Sequence, residues 1–114
     1  MSELLNLTEK TLSDKLAENI VAIDMQGVNP FADYYVIATA RNLRHVAALA
    51  HDITEAAEKN GFPVRIQEGT DGSSWILVDL YEVVVHIFTE DARMLYKLEK
   101  LWGDLPASNY RDEQ

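Results

Sequence analysis

The chain has 114 residues, 47% of them hydrophobic, no cysteine, and ten Lys and Arg against nineteen Asp and Glu for a formal net charge of -9. That length suits one domain with one core, the missing cysteine excludes disulfides and thiolate metal sites, and no apolar run approaches a membrane span. Phosphate backbones are bound through clustered Lys and Arg, so this acidic chain points away from nucleic acid and toward a basic protein partner, whose encounter complementary charge speeds.

The first twenty residues carry Glu3, Glu9, Asp14 and Glu18. Such acids suit neither a signal peptide nor an Arg-rich presequence, and predict a cytoplasmic protein. Residues 2–18 read as a helix with Leu5, Thr8, Leu12 and Leu16 on one face, capped by Asn19. Residues 20–25 alternate as a strand. A Gly and Pro turn at 26–30 leads to a second strand at 34–39, close enough to pair antiparallel. Residues 41–60 form the most regular helical pattern, with Leu43, Val46, Ala47, Ala50, Ile53 and Ala57 at helical spacing and Gly61 as the stop. Those inward residues are mostly small and allow close approach to a sheet. A strand at 64–67 follows, and the strand, helix, strand order predicts parallel pairing through a right-handed crossover.

Residues 70–74 are a Gly and Ser loop. Trp75 to Leu80 and Val83 to Phe88 then read as antiparallel strands around Tyr81 and Glu82. The second is apolar on both faces except for His86, which predicts a central position in a covered sheet. A last helix is predicted from Asp91 to about Trp102. At about 100° per residue, Met94, Leu95, Leu98, Leu101 and Trp102 share one arc, opposite Arg93, Lys97 and Lys100. The leucines and Met94 suffice to dock this helix. Trp102, and Trp75 at a strand entrance, are therefore candidates for partner contact, although large rings at such positions also serve as core. The tail at 107–114 is polar and expected to fray. The elements predict a single mixed α/β (α+β) domain over 1–106, a mixed five-stranded sheet with flanking helices.

The order and spacing of several pieces resemble the ribosomal silencing factor family, also called RsfS or Iojap proteins, over nearly the whole chain. The pieces are Ala32-Asp33-Tyr34 with Val36-Ile37, Arg44 and Val46 opening a helix, Glu68-Gly69, Trp75 with Asp79, and Val84-Val85-His86. Arg93, Tyr96, Leu98-Glu99 and Leu101-Trp102 complete them. The chain departs from the family pattern at Ala40-Arg41-Asn42-Leu43, where a Gly-containing stretch is usual, and at Tyr81-Glu82, where the family usually has Gly-Asp. The resemblance implies a nucleotidyltransferase-like topology and a translation repressor. It also implies binding to the large ribosomal subunit through its fourteenth ribosomal protein, which sterically blocks association of the two subunits. The partner patch it implies comprises Trp75, Leu80, Tyr81, Leu95, Tyr96, Leu98, Glu99 and Trp102, with Asp79 and His86 as structural support. Little direct RNA contact and no membrane contact are expected, and a homodimer through the same face is possible.

Nucleotide transfer on such a fold would need magnesium-holding carboxylates beside a phosphate-cradling loop. Asp33, Asp79 and Asp91 lie at different element ends, and Glu68-Gly69 with Asp71-Gly72 reads as turns. His45 and His51, six apart on a helix, are wrongly spaced for two ligands on one face. His86 reads either as a satisfied core residue or as a support bonded to Asp79 or Glu99. No catalytic, cofactor-binding or metal-ligating residues are assigned, no cofactor is expected, and the chain is read as no enzyme. The alternatives are a nucleotidyltransferase-like enzyme and a self-associating adaptor.

Overall fold

The computed structural model describes residues 2–110. Its elements run α1 (Glu3–Asp14), β1 (Glu18–Asp24), β2 (Tyr34–Ala40), α2 (Leu43–Lys59), β3 (Ile66–Glu68), β4 (Trp75–Asp79), β5 (Val83–Thr89) and α3 (Glu90–Tyr96). A 3-10 turn (Leu98–Trp102) and β6 (Ala107–Asn109) follow. The sheet order is β3-β4-β5-β2-β1-β6. Only the central pair β2 and β5 is parallel; every other neighbour is antiparallel.

β5 takes the centre because all its residues but the last are buried. Alternation sends Val83, Val85 and Ile87 toward the helices, where Ile76, Val78 and Leu80 of the β4 hairpin, Val36 and Ala38 of β2, and Val46, Leu49 and Ile53 of α2 complete the main core. Complete burial of a side chain such as Leu49 contributes about 2 kcal/mol. Asn42 starts α2 by accepting the His45 amide at 2.8 Å. Gly61, at φ 81°, stops it while the Phe62 amide returns to Ala57 at 2.9 Å. The opposite sheet face carries a smaller cluster of Ile23, Met25, Ile37, Phe88 and Ala92, on which Tyr35, Trp75, Leu98 and Trp102 pack. No helix among the described residues is long and apolar enough to cross a membrane.

Several expectations need correction. Among the described residues the sheet has six strands, because residues 107–109 of the expected frayed tail pair with β1, Ala107 opposite Ile23 and Asn109 opposite Val21. That strand is short and exposed; the open edge of β1 recruits its backbone. The rest of the expected tail, 111–114, lies outside the described residues. The parallel partner of β2 is β5, not the strand at 64–67: β3 is three exposed residues long, and the mostly apolar, almost wholly buried β5 outcompetes it for the central place.

α1 ends at Asp14, with Leu16 exposed and left-handed, and Asn19 caps nothing. Asn19 sits instead at a bulge of β1 with φ 49°, a conformation Asn tolerates better than most residues. The last helix breaks at Lys97, which adopts φ 47° and separates α3 from the 3-10 turn. The periodic arc is thereby cut: Met94, Leu95 and Leu101 are exposed, and Ala92, Leu98 and Trp102 make the sheet contact in their place.

Candidate partner-docking face

The pleat assigns side chains to the second face by parity. Trp75, Leu77 and Asp79 of β4 stand opposite Phe88, His86 and Val84 of β5, which lie beside Thr39, Ile37 and Tyr35 of β2. α3 and the 3-10 turn cross one end of this face and leave the other as a groove.

At the covered end the aromatic residues interlock. The Trp75 ring stacks on Phe88 with centroids 4.8 Å apart and meets Tyr96 at the same distance. Trp102 presents an edge-on contact to Tyr35 at 5.1 Å, and Tyr35 lies 5.0 Å from His86. Trp75 Nε1 donates to His86 Nδ1 at 3.2 Å. Since an indole N–H only donates, His86 is the neutral tautomer with its proton on Nε2. Nε2 is buried without a hydrogen-bond partner among the described residues. Burial pushes the imidazole pKa down from 6.5 to about 4, against the opposing pull of the Asp79 charge.

Outside this layer, Leu95 is 75% and Leu101 69% exposed, with Met94 and half of Tyr96 also open to solvent. Single apolar side chains on a surface are ordinary; four within the eight residues from Met94 to Leu101 are a concentration of the kind that marks interaction sites. At the other end, Asn29, Phe31, Ala32, Tyr35, Leu77, Tyr81 and Val84 line a groove of about 450 Å³ with Arg65, Glu68 and Asp79. Phe31 is 87% exposed at its rim. Tyr35 belongs to both ends, since its ring also carries Trp102.

The residues named from sequence separate on this frame. Trp75, Tyr96, Leu98 and Trp102 come together at the covered end, with Leu95 exposed beside them. Tyr81 lies at the groove, beyond the far end of β4. Leu80 is removed from the patch: it is 2% exposed and belongs to the helix-side core. An odd offset of five from Trp75 puts it on the opposite face, a signal present in the sequence. His86 bonds Trp75 rather than Asp79 or Glu99. Asp79 is occupied elsewhere, with Oδ2 accepting from Arg65 at 2.9 Å and Oδ1 from the Tyr81 amide at 2.8 Å. The latter bond holds Tyr81 at φ 71° in the tight hairpin.

Arg93, expected on the solvent face, is largely buried. Its guanidinium donates to both Glu99 carboxylate oxygens at 2.7 and 3.1 Å, to the Asn19 carbonyl at 2.6 Å and to Thr39 Oγ1 at 2.8 Å. The hydrogen bond from Arg93 holds the Glu99 carboxyl below its usual range. Phe31 and Tyr35 were also beyond sequence reasoning, because only the turn at 26–30 brings them beside the hairpin.

The full chain, residues 1–114, matches the family described as ribosomal silencing factor during starvation. The ribosomal silencing factor RsfS of Bacillus subtilis is 43% identical, over 93% of this chain and 90% of its own. A crystal structure from Bacillus halodurans superposes with a TM-score of 0.83 at 37% identity, covering 95% of this chain and 98% of that one. A mouse protein named mitochondrial assembly of ribosomal large subunit protein 1 is 30% identical over 80% of this chain and 41% of its own length.

Proposed function

The chain belongs to the ribosomal silencing factor family, and from that premise we propose that it binds the large ribosomal subunit through the fourteenth ribosomal protein. By occupying that face it blocks association of the two subunits and represses translation. The action is steric, in the cytoplasm, with no turnover and no cofactor. The observation that carries this reading is the exposed apolar surface of α3 and the 3-10 turn beside an ordered aromatic layer.

Aromatic and apolar anchors supported by rigid neighbours are what binding hot spots require, and truncating one costs about 2 kcal/mol of affinity. Tyr96, Leu98 and Trp102 supply the half-buried part of such a surface, and Leu95 and Leu101 the open part. The net charge of -9 steers the chain toward a basic ribosomal protein and away from exposed RNA. The mouse relative's name, which concerns assembly of a ribosomal large subunit, supports the choice of subunit.

The test is a binding titration of the purified chain against the isolated fourteenth ribosomal protein. Wild type is expected to bind, and Leu95→Ala to lose about tenfold or more in affinity at an unchanged unfolding midpoint. Absence of binding, or indifference to Leu95→Ala and Leu101→Ala together, would sink the reading. Concentration-dependent self-association through the same residues would favour the adaptor alternative.

A further inference from the structure

The segment carrying most of the candidate docking residues is fastened to the sheet by little apolar area. Within α3 only Ala92 is buried, and the 3-10 turn contributes no buried residue. Leu98 and Trp102 are only partly covered. The break between the two pieces places Lys97 at φ 47°, a conformation unfavourable for a residue with a β-carbon. The partly covered contacts of Leu98 and Trp102 do not by themselves fix the place of the turn.

Arg93 does. From one position in α3 its side chain, 12% exposed, reaches three other segments: Glu99 in the 3-10 turn, the Asn19 carbonyl at the β1 bulge, and Thr39 in β2. We propose that Arg93 is the positioning residue of the docking face, a polar latch that fixes the 3-10 turn against the sheet and so sets where Leu98 and Trp102 stand. The planar fork of a guanidinium can hold a carboxylate in two-point contact while its remaining N–H groups bond elsewhere; a lysine ammonium cannot keep all of these directions. The bulge at Asn19 has a function in this arrangement, since its carbonyl accepts from the fork at 2.6 Å.

The latch reassigns Glu99. Both of its carboxylate oxygens accept from Arg93, so its part in the docking face is to hold the turn rather than to meet the partner. For its consequence in binding the proposal rests on the docking reading above; for its geometry it does not.

The test measures position and binding separately. In a Trp75→Phe background Trp102 is the single tryptophan, and acrylamide quenching reports its exposure. Large-subunit binding is measured in the otherwise native chain. Arg93→Met and Glu99→Gln are expected to raise the Trp102 quenching constant about twofold and weaken binding about tenfold, with amide exchange in β2 and β5 still protected. Arg93→Lys is expected to restore part of both effects. Unchanged quenching in Arg93→Met overturns the latch, and so does uniform loss of protection across β2 and β5. Weakened binding by Glu99→Gln with unchanged quenching overturns it too, by making Glu99 a direct contact. A native chain that fails to bind large subunits, with quenching that still responds to Arg93→Met, upholds the latch and removes the docking reading.

Discussion

Lowering the pH toward 5 should destabilise this protein through one buried ring. In the fold, His86 is 4% exposed and neutral, with its pKa pushed from 6.5 to about 4 by burial. In the unfolded chain the ring regains its ordinary affinity and takes up a proton below about pH 6.5. Its neutral burial is therefore without penalty above pH 6.5, and stability falls as pH drops from there to about 4, where the folded ring titrates as well. Linkage over that window gives about 2 kcal/mol lost at pH 5 and about 3 kcal/mol at the acid end, a large share of a small domain's stability.

The assay is urea unfolding followed by circular dichroism at pH 7, 6 and 5, with His86→Asn beside the native chain. An asparagine oxygen can accept from Trp75 Nε1 near the place of His86 Nδ1 but does not titrate in this range. The variant is expected to start less stable and to show a flatter pH profile between 7 and 5. Parallel profiles for the two proteins would refute the reasoning, because the slope would then come from other groups.

Four further substitutions separate core, backbone and surface. Leu80→Ala should cost about 3 kcal/mol in unfolding free energy by opening the helix-side core, whereas Leu95→Ala should stay within about 0.5 kcal/mol, both read by urea titration. Gly69→Ala should destabilise by about 2 kcal/mol or more, because φ is 99° and a β-carbon would lie 2.9 Å from the Trp75 carbonyl oxygen; thermal unfolding checks it. Tyr81→Gly should raise stability by about 1 kcal/mol at φ 71°, measured against the native hairpin, and no gain would mean that Tyr81 packing outweighs the strain.

What the sequence disclosed, and what it withheld, follows the range of the forces involved. β5 and α2 were legible because burial on both faces leaves a continuous apolar run and burial on one face leaves a 3.6-residue spacing. The β1–β2 and β4–β5 hairpins were legible for the same reason, including Tyr81 where a glycine would be at ease. β6 was not, because three small, exposed residues held by backbone hydrogen bonds to an edge have no side-chain signature. The break at Lys97 was hidden because the turn beyond it is tied through Arg93 to segments distant in the chain, which leave no local pattern. Of the residues named for docking, the two tryptophans and Tyr96 do come together on one sheet face, and Leu80 does not, as strand parity alone would have shown. Leu101 and Met94 were assigned to the sheet by an unbroken helical period, and both are exposed.

The most direct measurement is co-sedimentation of the purified chain with free large subunits and with joined ribosomes, with Leu95→Ala and Trp102→Ala alongside. Docking at the subunit-joining face predicts that the chain pellets with free large subunits, stays in the supernatant with joined ribosomes, and is released by either substitution. Equal pelleting with both particles, or none with either, would contradict it.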